Sequence, residues 1–135
     1  MNYFLLKSDP STYGWKELVK DGTTRWDGIR SYAARLHLRA MKKGDLALFY
    51  HSNSADGIVG TVEVVKEHYP DPGAPGEDWS CVDIKLYKQL KNPVPLEAIK
   101  KDKRLKNMVL LKIGRLSVMP VTETEYKTIM ELGEM

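Results

Sequence analysis

Trp26 stands between two glycines in the stretch Gly22-Thr23-Thr24-Arg25-Trp26-Asp27-Gly28-Ile29-Arg30-Ser31-Tyr32, which is polar, basic and aromatic at once. A large ring beside guanidinium groups suits a nucleobase or another planar ligand, because the ring stacks and the charge attracts phosphate. The competing use is a plug beneath a loop, since large aromatics are mostly buried. Other residues could complete a base site. Phe49 and Tyr50 offer further walls, while Ser8, His51, Ser52 and Ser117 offer polar edges. Arg25, Arg30, Arg35, Arg39 and Arg115 offer contacts to phosphate. By alternation, only one of Phe49 and Tyr50 can face a pocket on their strand. Flipping a base out of a duplex costs a few kcal/mol, and stacking returns about 1–3 kcal/mol per base, so phosphate contacts are also required.

The same polar residues could serve catalysis, as a small hydrolase built from Ser52 or Ser117 with His51 and Asp83. Neither serine lies in a nucleophile elbow or another activating context. The chain has no Walker loop, dinucleotide glycine pattern, HExxH or CxxC. His37, His51 and His68 lack the compact spacing of metal ligands. The expectation is a binding module that is not an enzyme and uses no metal and no cofactor.

A small set of elements must position these residues. A strand at 3–6 is ended by Lys7-Ser8-Asp9-Pro10-Ser11. A short helix follows at 15–20, with Trp15 facing the core. The 22–32 stretch reads as a loop pinned by Trp26. A helix at 31–41 puts Arg35 and Arg39 on one face, where they repel unless an anion sits between them. Alternating strands are expected at 45–52, 58–68 and 80–90, with Gly60 marking a bulge or a close backbone approach. Residues 69–79 carry three prolines and two glycines and read as an ordered loop or lid. Cys81 fills its strand. A helix opened by Pro95 follows, then an edge strand at 118–121 marked by Pro120. Thr122 and Glu125 form a capping box for the last helix. The long strand block from 45 to 90 excludes regular strand–helix alternation. The fold class is therefore α+β, a single domain over residues 1–135 with a mixed or antiparallel sheet curled into a small barrel and peripheral helices.

Composition fits this reading. Apolar residues make up 42% and charged residues 29%, values of a globular chain with a core of its own. The lone Cys81 leaves no intrachain disulfide. The start of the chain does not read as a signal peptide, and no run approaches the roughly 18–20 apolar residues of a membrane helix, so a cytoplasmic monomer off the membrane is expected. The net charge of +3 is unevenly spread. Residues 23–44 hold six basic side chains against Asp27, and residues 97–115 hold seven against Glu97 and Asp102. Residues 53–83 hold seven acidic side chains against Lys66. If the basic segments share a face, it can hold a phosphate backbone.

Several stretches together resemble the EVE-domain family of the PUA-like superfamily. They are Phe4-Leu5-Leu6-Lys7-Ser8-Asp9-Pro10, Asp21 through Arg35, Leu38-Arg39-Ala40-Met41-Lys42-Lys43-Gly44-Asp45 and Leu48-Phe49-Tyr50-His51-Ser52. Gly57-Ile58-Val59-Gly60, Tyr69-Pro70-Asp71-Pro72 and Gly114-Arg115-Leu116-Ser117-Val118-Met119-Pro120-Val121 continue the match in family order. The family is similar to the YTH and SRA-like readers of modified bases. The resemblance implies a PUA-like fold and a module that recognises a modified base, a modified cytosine or similar, in DNA or RNA. It places Ser8, Trp26, Tyr50, His51, Ser52 and Ser117 around the pocket, with Arg25, Arg30 and Arg35 on its approach. A PUA-type RNA-binding protein without selectivity for modification is the second reading. Departures are Asp9 where relatives usually carry Glu, Ser31 for Asn, Met119 for Gln, and a shorter loop at 71–79.

Overall fold

A computed structural model describes residues 1–134. In chain order the elements are β1 (Tyr3–Ser8), α1 (Trp15–Asp21), β2 (Thr23–Trp26), α2 (Tyr32–Ala40), β3 (Leu46–His51), β4 (Gly57–Pro70) and β5 (Ser80–Val94). They continue with α3 (Leu96–Lys101), a 3₁₀ turn (Lys103–Leu105), α4 (Val109–Lys112), β6 (Val118–Val121) and α5 (Glu123–Glu134). The strands form one six-stranded sheet in the order β2-β5-β4-β3-β1-β6. β1 runs parallel to β3, and every other neighbouring pair is antiparallel. The α+β class with a mixed sheet stands. Closure into the expected barrel is not seen among the described residues, since the edge strands β2 and β6 are not paired with each other.

The sheet is nonetheless strongly curled. β2 and β3 are three strand spacings apart, roughly 14 Å in a flat sheet. Yet the Trp26 ring on β2 lies 5.6 Å from the Phe49 ring on β3, in a T-shaped contact. Curling is helped by register shifts in the β4–β5 ladder, one of them between Ile58 and Gly60. Gly60 is also a close approach: a Cβ there would fall 2.2 Å from the Trp15 ring. The core thus centres on Phe49, fully buried, with Trp15 and Trp26 edge-on against it.

Two expectations about elements change. Residues 23–26 are a strand and not a loop, in keeping with the β-prone Thr-Thr-Arg-Trp run, and they pair with β5 from Thr23↔Lys85 to Trp26↔Val82. β4 and β5 both run beyond their apolar alternation, pairing Tyr69 with Cys81 and Pro70 with Ser80, so 71–79 is the connection of a long hairpin. Local chemistry otherwise acts as its residue types demand. Ser31 caps α2 through Ala34, and Thr122 and Glu125 cap α5 reciprocally at 3.0 and 3.1 Å. β6, with Pro120, is an edge strand. Cys81 is buried in β5, and burial pushes its thiol pKa up. No helix is long and apolar enough to cross a membrane among the described residues.

Candidate nucleic-acid interface

Parallel pairing brings the C-terminal ends of β1 and β3 to one end of the sheet, with Ser8 opposite His51. The Ser52 N–H donates to the Ser8 carbonyl at 2.9 Å, and the Lys7 N–H donates to the Ser117 carbonyl at 3.0 Å. Ser8, His51, Ser52 and Ser117 therefore gather at or beside the ends of adjacent strands there. The curl carries β2 round toward them. Between the end of β1 and β2 lies a cleft of about 540 Å³, within the size range of small-ligand sites. β1 and the turn after it contribute Lys7, Ser8, Asp9, Thr12 and Tyr13, while β2 and its continuation contribute Thr24, Arg25, Trp26, Asp27 and Ile29. The cleft sits between strands that the sheet's order keeps four places apart.

Trp26 is both wall and plug. Only 8% of it is exposed, its ring packs edge-on against Phe49, and it meets the Tyr13 ring at 6.2 Å. Tyr13 is fixed at its other end, where the hydroxyl donates to Asp21 at 2.8 Å, and burial pushes its pKa up. The Ser8 hydroxyl donates to the Tyr13 carbonyl, which ties β1 to the turn that follows. The charges around the opening alternate in sign. Burial pulls the Lys7 pKa down, and its ammonium donates to the Gly114 carbonyl at 2.6 Å. The Ser11 side chain, then its N–H and Asn53, hold the Asp9 carboxyl below the usual range. Arg25 pairs with Asp27 at 3.1 Å, both half-exposed.

Of the seven residues expected to border a pocket, Ser8 and Trp26 line this cleft. Phe49 is fully buried and backs Trp26 instead of facing a ligand. Tyr50 lies on the opposite face of β3, with the Lys7 ammonium 5.8 Å above its ring. Ser52 and Ser117 touch β1 through their backbones at the same end of the sheet. His51 points toward α1, where its Nε2 accepts the backbone N–H of Trp15 at 3.1 Å and its Nδ1 lies 3.3 Å from Asp56. Both ring nitrogens are thus engaged away from any serine. Asp83 accepts from the Tyr69 hydroxyl. The Ser–His–Asp cluster that a hydrolase needs is not assembled from these residues.

The five arginines divide in the same way. Arg25 lines the cleft, and Arg115 is exposed. Arg30 donates to Asp71 at 2.9 Å. Asp71 is almost wholly enclosed, and burial opposes its ionisation. The N–H groups of Gly28 and Gly73 together with Arg30 outweigh burial and lower its pKa. Arg35 and Arg39 share a face as expected, and the anion between them is Asp78 of this same chain, at 3.3 and 2.6 Å. Both also donate to the Asp78 carbonyl, and Arg39 donates to Ser80. These three arginines are each held by a carboxylate of the 71–79 connection and fasten it to α2 and the loop before it. Sequence reading missed Lys7, Asp9, Thr12, Tyr13, Thr24, Asp27 and Ile29 as lining residues, because only the curl of the sheet brings 7–13 against 24–29.

The EVE domain family model matches residues 2–132. The chain belongs to the EVE-domain family. Mouse thymocyte nuclear protein 1 is 38% identical to it, over 98% of this chain and 74% of the mouse protein. Among solved structures, this EVE domain superposes on a protein of Agrobacterium tumefaciens with a TM-score of 0.96 at 42% identity, covering 98% of this chain and 93% of that one. It superposes on human THYN1, solved in complex with 5-methylcytosine containing DNA, with a TM-score of 0.90 at 34% identity, covering 100% of this chain and 99% of the human one. A YTH domain from Zygosaccharomyces rouxii, in complex with N6-methyladenosine RNA, shares the fold at a TM-score of 0.63 and 16% identity.

Proposed function

We propose that this EVE domain binds nucleic acid and seats one modified base, a modified cytosine or similar, in the cleft between β1 and β2. The observation that carries the reading is the cleft itself, whose volume suits a base and its sugar and whose lining includes Trp26, Tyr13, hydroxyls and charged groups. Stacking rings grip any base by its π-face. Selectivity comes from the polar rim, where Asp9 and Asp27 are acceptors of the type that pairs with the cytosine amino group. Support also comes from human THYN1, whose structure covers this whole chain and contains 5-methylcytosine DNA. Lys7 and Arg25 supply positive charge at the opening for the adjoining phosphates.

The test is binding of matched DNA and RNA oligonucleotides, with and without 5-methylcytosine, 5-hydroxymethylcytosine or N6-methyladenine. A preference for one modified probe that persists at high salt supports the reading. Equal binding to every probe would make the domain a plain nucleic-acid binder.

A further inference from the structure

Beside the cleft lies a second aromatic surface that a base in the cleft does not use. Tyr32, the first residue of α2, is 71% exposed. Its ring stacks on Trp79 with centroids 5.5 Å apart and planes 24° apart. The Arg35 guanidinium lies 4.9 Å from the Tyr32 ring centre and 5.2 Å from that of Trp79. Arg30 approaches Trp79 at 5.7 Å. Each cation is also held by a carboxylate, Arg35 by Asp78 and Arg30 by the enclosed Asp71. The rings are thus presented in a fixed arrangement, and most of the tyrosine remains open to solvent. Ile29, only three residues before Tyr32, lines the cleft, which bounds their Cα separation at roughly 10–11 Å.

Packing does not account for this surface, since burial would hide the tyrosine ring. An exposed ring seated on a second ring, with guanidinium groups alongside, suits the sequence-tolerant stacking of bases in single-stranded nucleic acid. Its position one short loop from the cleft fits a neighbouring nucleotide of the same strand.

We propose that the Tyr32–Trp79 pair, flanked by Arg30 and Arg35, is a stacking subsite for the nucleobase next to the one seated in the cleft of a bound single strand. The proposal rests on the function proposed for the cleft and adds to it a contact that sets affinity and is indifferent to modification.

The test compares wild type, Tyr32→Ala and Tyr32→Phe by fluorescence anisotropy. The probes are single-stranded pentanucleotides of DNA and RNA with a central cytosine or 5-methylcytosine. Tyr32→Ala weakens binding about tenfold for modified and unmodified probes alike, so their ratio is unchanged. Tyr32→Phe keeps wild-type affinity, because the ring and not the hydroxyl makes the contact. Free 5-methyl-2′-deoxycytidine, which has no neighbouring base, binds all three proteins equally. The DNA or RNA arm that shows the loss identifies the strand. Wild-type preference for the modified probe combined with unchanged affinity in Tyr32→Ala would overturn the subsite and leave the cleft reading standing. A tenfold loss in Tyr32→Ala combined with no wild-type preference would overturn the cleft reading and support the stacking contact alone.

Discussion

The His51 imidazole accepts the backbone N–H of Trp15 at Nε2, so its own proton sits on Nδ1, facing Asp56. This makes the residue a fastener of the first turn of α1. Replacing it by phenylalanine keeps a ring against Phe49 and leaves the buried Trp15 N–H without an acceptor. That costs about 1–3 kcal/mol, to be read as a lower urea midpoint with an unchanged slope. The residue type and strand position of His51 were legible in the sequence, but its role was not. A histidine at the end of a buried strand has the same local pattern whether it serves chemistry or a helix N-terminus. Trp26 was legible as an aromatic that matters: it plugs the core against Phe49, and its use against a base belongs to the proposed function. It is therefore a poor probe of binding alone, since Trp26→Ala also removes core volume, at about 3–5 kcal/mol. Thr24, half-buried in the cleft wall, offers a cleaner test.

At the scale of elements, the 71–79 connection is held by two carboxylates acting on α2 and the loop before it. Asp71 joins the Gly28 N–H, the Gly73 N–H and Arg30, and its pKa is lowered. A carboxyl with a folded pKa below its unfolded value of about 3.9 contributes stability that is full above that value and lost as pH falls through the folded pKa. Asp71→Asn is therefore less stable than wild type by about 2–3 kcal/mol at neutral pH. The difference shrinks below about pH 4, as thermal melts of the two proteins across pH would show. Helix and strand periodicity made α1, α2, β3 and α5 legible, because each has an apolar stripe or a cap of its own. β2 was not, since four residues ending in a tryptophan carry no period. The cleft was half legible for the same reason: Ser8 and Trp26 announced themselves by type, whereas Thr12, Tyr13 and Thr24 became neighbours only through the curl of the sheet.

Across the whole molecule, the uneven charge seen in the sequence is partly cancelled in the fold. The basic face of α2 meets the acidic hairpin connection, so Arg35 and Arg39 are screened by Asp78, whose side chain is 77% exposed. Asp78→Asn removes one negative charge from that face. Affinity for every oligonucleotide then rises severalfold at low salt, with a steeper dependence on salt concentration and no change in preference between probes. A change confined to one modified probe would mean that Asp78 belongs to base recognition. The α+β class and the mixed sheet were readable from the strand block, but closure was not, because pairing between edge strands leaves no mark in either strand's own pattern.

The most direct measurement is therefore a pair of titrations with matched oligonucleotides, with and without 5-methylcytosine, at low and high salt, using wild type and Thr24→Phe. The substituted ring suits a strand and fills the cleft without altering charge. Wild type is expected to keep its preference for the modified base at high salt. Thr24→Phe is expected to lose that preference while retaining its melting temperature and its salt-dependent binding to unmodified strands. An unchanged preference in a folded Thr24→Phe protein would show that the modified base is read somewhere other than the cleft between β1 and β2.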